Sequence, residues 1–191
     1  MGTRSLTVVI YRETVKIAQY GQWDGYPGIS GCTLLNFLKS KLSVERLEKI
    51  LPKTRFQNEI KTKQRNRLFK ASDNKPVSTL KDVTRNISLH DYAIGVNILN
   101  ELLRHEEFRE IVLFNSYKFA SDSFWCEWAY VIDFDNNVFE VYKGDNHSPL
   151  SNSERFFSLQ NTASDCYPVK LVLSYNLSEL PSDEEFLSHF L

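Results

Sequence analysis

The chain lacks a surplus of either charge: 23 lysines and arginines stand against 24 aspartates and glutamates. No global field therefore recruits nucleic acid or an anionic membrane, and any electrostatic partner must be met locally. Cysteine is scarce. Cys32, Cys126 and Cys166 are the only three, with no C-x-x-C pair, which disfavours a disulfide framework or a zinc site and points to reduced thiols in a cytoplasmic setting. No apolar run approaches the ~20 residues of a membrane span, and the opening MGTRSLTVVI is too short for a signal peptide. A membrane partner is not expected. Glycine is also in short supply, with 7 in 191 residues, yet four of those 7 fall in residues 19–31, QYGQWDGYPGISG.

What is present suffices for a core. With 42% apolar and 13% aromatic residues, the chain reads as a single domain over residues 1–191. Residues 6–10 and 15–19 are β-rich runs around a short polar link, which predicts an N-terminal hairpin. Leu34, Leu35, Leu38 and Leu42 recur at helical spacing behind Thr33 or Ser30 as a cap. A second helix is expected over residues 44–51, capped by Ser43 and stopped at Pro52. Ser88 opens an S-L-H-D capping box, which predicts a helix over residues 89–104 with Tyr92, Val96, Leu99 and Leu103 on its buried stripe. Residues 110–114 and 169–175 read as strands, and SELPSDEEFLSHFL as an acidic-capped terminal helix. Strands with segregated helices make an α+β domain, built mainly from antiparallel sheet with packed helices.

The clearest pattern is FWCEWAYVIDFDNNVFEVYKG, residues 124–144. Asn136-Asn137 suits a type I′ turn, which pairs Phe134 with Phe139, Ile132 with Val141 and Asp133 with Glu140. One face then carries Trp128, Tyr130, Ile132, Phe134, Phe139 and Val141 and must be buried. On the other face Glu127 and Asp133 stand ~20 Å apart by the strand rise, too far to act on one bond. Asp133 opposite Glu140 is unfavourable unless a cation sits between them. Glu127, flanked by Trp125 and Trp128, is the better candidate for function.

The glycine-rich stretch supplies the rest of the candidate site. A glycine turn ahead of a helix exposes backbone amides at the positive end of the helix dipole, a receptor for phosphate or carboxylate. Residues 28–33 are expected to offer those amides. Trp23 and Tyr26 then supply a stacking surface, Gln22 and Asp24 read polar edges, and Arg4 on the first strand adds charge. The expected ligand is a small anion or nucleotide-like molecule, bound by Arg4, Gln22, Trp23, Asp24, Tyr26 and Glu127, with hydrolysis as an extension of that binding. The bland reading is that the glycines permit turns, Trp23 plugs the core and Asp24 caps its own loop. No cofactor motif is present, the four histidines lack ligand spacing, and Cys32 at a helix start reads as a packing residue. No catalytic residue is assigned and no metal site is expected.

Residues 53–85 hold ten of the 23 basic residues and three acids, so 53–87 reads as a basic, partly helical excursion. Its KTKQRNRLFK stretch has one interleaved aromatic, Phe69, which argues against nucleic acid. The alternative function is a noncatalytic protein-interaction module that uses this segment.

The GTRSL opening, QYGQWDGYP and CEWAYVID with its hairpin resemble a family of hypothetical proteins that carries no assigned reaction. A weaker likeness is one of topology. Strand, return strand, glycine turn and helix are similar to the opening of the N-terminal-nucleophile hydrolases, which implies an αββα sandwich. That family needs Thr, Ser or Cys as its first residue after processing, whereas here Gly2 follows Met1.

Overall fold

The computed structural model describes residues 2–59, 86–89, 94–161 and 166–190. Ser5–Tyr11 (β1) and Thr14–Gly21 (β2) form the expected hairpin. Cys32–Lys39 (α1) and Lys41–Ile50 (α2) follow, then Thr54–Phe56 (β3), Asn86–Leu89 (β4), Ile98–Arg104 (α3) and Glu110–Leu113 (β5). Trp128–Asp133 (β6), Val138–Lys143 (β7), Lys170–Asn176 (β8) and Asp183–Ser188 (α4) complete the order.

Among the described residues two sheets form, and the class is α+β. The larger runs β2-β1-β6-β7-β8, antiparallel throughout except between β1 and β6. The smaller, β3-β5-β4, is parallel. A parallel bridge between Ala18 and Asn115 joins the two, and the Ser116 amide donates to the Ala18 carbonyl at 2.9 Å.

Because β1 and β6 are central and covered on both faces, their residues form nearly continuous apolar runs. One face, with Val9, Ile17, Tyr130, Ile132, Phe139 and Val141, packs on the helices and on Ile111 and Leu113 of β5. On the other face Leu6, Val8, Ala129, Val131 and Tyr142 lie under Ala120, Leu150, Phe156 and Val169. Among the described residues that second cover is irregular chain, where the hydrolase likeness implies a further sheet.

Several expectations are corrected. Ser40, not Ser43, caps α2: its hydroxyl accepts the Ser43 amide at 3.3 Å. Leu42 is left exposed. Residues 86–89 are strand β4 rather than the mouth of a helix, because β5 offers them a parallel ladder. The helix begins only at Ile98. The segment expected as an excursion, 53–87, begins and ends in strands, since Thr54–Phe56 and Asn86–Leu89 flank β5 in one sheet. Its remainder, 60–85, lies outside the described residues.

The hairpin of β6 and β7 forms, but its register differs by two residues from expectation: Ile132 pairs with Phe139 and Val131 with Glu140. The cause is the Asp133 carboxylate. It accepts the amides of Asp135 and Asn136 at 3.1 and 3.0 Å, which holds a four-residue turn in place of a two-residue one. A shift of two keeps every side chain on its face. The buried face is therefore as expected.

Candidate functional site

At one end of the large sheet β1, β6 and β8 begin while β2 and β7 finish, so the segments flanking them converge there. Arg4 and Glu127 stand side by side just before β1 and β6. The Arg4 amide donates to Glu127 Oε1 at 3.0 Å, and the Arg4 guanidinium lies 4.1 Å from the centre of the Trp125 ring. Arg4 Nε is buried, 3.9 Å from Glu127 Oε1 and with no hydrogen bond among the described residues. A cation over an indole face is attracted by the ring quadrupole, the more so when water is excluded. Trp125 stays 43% exposed above it.

Tyr20 belongs to the same corner. Its hydroxyl donates to the Gln22 side-chain oxygen. Burial pushes its phenol up, with the Arg4 guanidinium opposing, so the ring is neutral at physiological pH. Beside it the chain leaving β5 crosses the end of β2 at the Ala18–Asn115 bridge. That crossing opens a shallow groove of about 320 Å³ lined by Tyr20, Ser116, Lys118 and Phe119. Tyr20 and Phe119 meet edge to face, with ring centres 4.9 Å apart. The Lys118 side chain is exposed at the rim.

Arg4, Gln22 and Glu127 thus gather around Tyr20 and Trp125. The other three expected site residues lie along the outside of the loop. Trp23, 57% exposed, lies against Gly2. Asp24 has φ +55°, an exposed side chain, and a carbonyl that accepts the Ser30 hydroxyl at 2.7 Å. Tyr26, also exposed, approaches Gly28.

Of the amides ahead of α1, those of Ile29, Ser30 and Cys32 are committed to the turn. Pro27–Gly31 winds into a wide π turn, in which the Ile29 and Ser30 amides donate to the Tyr26 carbonyl. The Cys32 amide donates back into the same turn. Phe186 of α4 packs against Gly31. The Cys32 thiol is pushed up by burial and by Asp183, which suits a packing role. Among the glycines here, Gly25 answers to close approach: a side chain on it would meet the Arg4 and Thr3 backbone at 2.8 Å.

Sequence reasoning missed Tyr20, Ser116, Lys118 and Phe119, which only the bridge between the two sheets brings together. The exposed aromatics at Phe124 and Trp125 were the available signal for this end of the sheet. Far from it, the Asp133–Glu140 pair does hold a cation. Arg155 donates from Nε to Glu140 at 2.7 Å and from its terminal nitrogen to Asp133 at 2.9 Å. Among the described residues no group of three or more His, Cys, Asp or Glu side chains is placed to hold a metal. Nor is any helix among them long and apolar enough to cross a membrane.

No family model, curated protein or solved structure matches the chain.

Proposed function

We propose that the groove between Tyr20 and Phe119 binds a small planar anion. The observation that carries this reading is the pairing of an aromatic cleft with local positive charge. Two rings wall a groove of about 320 Å³, Lys118 stands at its rim and Arg4 lies near Tyr20. That volume falls at the lower end of ordinary ligand sites, ~300–1,000 Å³. Apart from the Tyr20 phenol, the polar groups of its lining are the Ser116 hydroxyl and the Lys118 ammonium. A hydroxyl and an ammonium favour a ligand rich in acceptors. A nucleotide base or aromatic ring fits against the walls while its phosphate or carboxylate meets Lys118.

The reading is one of binding. Among the described lining residues Ser116 has no adjacent base, so no chemical step is assigned. The alternative is an interaction module built on the basic segment 53–85, of which residues 60–85 lie outside the described residues.

A thermal-shift series with nucleoside monophosphates and aromatic carboxylates tests the proposal. At a hundredfold excess over Kd, a ligand that binds only the folded state adds about 2.7 kcal/mol. The wild-type midpoint should rise with at least one such anion, and Lys118→Ala should lose that response while melting normally without ligand. A wild type indifferent to every anion, or a Lys118→Ala variant that responds fully, would remove the groove as the site.

A further inference from the structure

The wall of the groove has a reverse side. Tyr117–Ser121 form a single 3-10 turn. Ser116, Lys118 and Phe119 line the groove, while Ala120 lies in the core on the second face of the large sheet and Tyr117 and Phe119 pack against that core. Tyr117 rests on Phe156 with ring centres 5.5 Å apart, and Phe156, fully buried, packs edge to face on Tyr142 at 4.9 Å. The Ala120 carbonyl accepts the Val169 amide at 2.9 Å. The turn is therefore clasped by the long connection between β7 and β8.

Beside the packing of Phe156 on Tyr142, a guanidinium fixes that connection to the sheet. Arg155, immediately before Phe156, spans Glu140 of β7 and Asp133 of β6, and the Tyr142 hydroxyl donates to the same Glu140 oxygen at 2.9 Å. The three charged side chains are 19%, 13% and 1% exposed for Arg155, Glu140 and Asp133. Asp133 is otherwise filled by the turn amides and by the Asn136 side chain at 2.9 Å. A forked, buried, doubly bonded arginine holds its backbone far more tightly than a surface ion pair. Losing one partner leaves the others buried and uncompensated.

We propose that Arg155 is a positioning residue for the groove: by locking Phe156 under Tyr117, it sets the turn that presents Ser116, Lys118 and Phe119. The functional meaning of the brace rests on the groove being the ligand site. The brace itself is a mechanical coupling that needs no ligand to be seen.

Amide hydrogen exchange read on peptides gives that ligand-free test. In Arg155→Met, exchange should rise at least tenfold over residues 144–160 and also over 116–122, whose Phe119 and Asp122 amides close the turn. The β1 and β6 amides should stay within twofold of wild type. Arg155→Lys should fall between the two, because an ammonium keeps the charge and loses the planar fork. If residues 116–122 keep wild-type protection while 144–160 loosens, the brace ends at the connection and the proposal is overturned. Should Arg155→Met fail to fold, Glu140→Gln, which leaves Arg155 on Asp133, is read by the same criteria.

The probe 8-anilinonaphthalene-1-sulfonate, an aromatic anion with a planar naphthalene, separates the two claims. Saturable wild-type binding that weakens at least fivefold in both Lys118→Ala and Arg155→Met supports groove and brace together. No saturable wild-type binding counts against the groove, and the exchange result still decides the brace. Binding lost in Lys118→Ala and intact in Arg155→Met overturns the positioning role alone.

Discussion

Gly144 follows β7 at the crowded end of the large sheet. Its amide donates to the Glu127 carbonyl at 2.8 Å, and a methyl group there would stand 2.2 Å from the Cys126 carbonyl oxygen and 2.4 Å from that of Ser123. Both are backbone atoms, so Gly144→Ala must displace the segment that carries Trp125 and Glu127. Overpacking of this kind costs about 1–3 kcal/mol, which in calorimetry should lower the melting midpoint by roughly 2–12 °C. Gly28→Ala is the control, because its nearest neighbour is the exposed Tyr26 ring at 3.1 Å, which can rotate aside; its midpoint should match wild type within ~0.5 kcal/mol of stability. A second substitution probes the core. Ile132 is fully buried between β1 and β7, and Ile132→Asp places an unpaired charge there, so no cooperative melt should remain. At this scale the sequence was most readable where one residue type had one use. The inward face of Tyr130, Ile132, Phe139 and Val141 followed from alternation alone. Arg4 and Glu127 were read as residues of one site from their chemistry, yet what makes them neighbours is the parallel pairing of β1 with β6, which no local pattern announces.

The turn between β1 and β2 shows how an element can depend on a distant side chain. Arg12 and Glu13 both adopt left-handed backbone, φ +53° and +58°, at a place where glycine or asparagine is customary. The Asp135 carboxylate accepts both of their amides, at 2.8 and 2.7 Å, and so secures the turn from the far end of β6. Asp135→Ala should therefore destabilise the protein by about 1–3 kcal/mol, measured as a lower urea midpoint. Glu13→Gly in that background should recover part of the loss, since glycine adopts the conformation freely. No recovery would mean that the strain lies elsewhere. Carboxylates also explain where element boundaries departed from expectation. Asp133 gathers the amides after β6 and lengthens the hairpin turn, a choice that Asn136-Asn137 obscured by suiting a shorter one. The capping pattern at Ser88 gave way to a parallel ladder with β5, because strand pairing is decided by a partner 24 residues further on, Ser88 standing beside Val112. Helices α1 and α2 were readable from leucine spacing, and only the cap moved, from Ser43 to Ser40.

At the scale of the whole molecule, Asp133 and Asp183 are among the carboxylates that tie segments distant in sequence, and both titrate in the same direction. Burial pushes the Asp133 carboxyl up, but its Asn136 bonds and the Arg155 guanidinium together bring it below the usual value. Asn36 and Lys39 lower Asp183, which fastens α4 to α1. A carboxyl with a depressed folded pKa contributes stability in full above its unfolded value, about 3.9 for aspartate, and loses it as the pH falls through the folded value. Urea midpoints should accordingly be level near neutrality on this account and drop below about pH 4. Lys39→Met should make the acid drop shallower, and an unchanged acid limb would exclude Asp183 as a contributor. The parallel pair at the centre of the large sheet governs how the chain can come to its structure at all. Ser5 lies beside Trp128, 123 positions later, so the finished hairpin of β1 and β2 keeps one edge open until most of the chain exists. At about 5–20 residues per second of synthesis, that edge waits roughly 6–25 s for its partner. For that interval a nascent strand reading Leu-Thr-Val-Val-Ile-Tyr presents its unpaired backbone edge as a template for any passing strand.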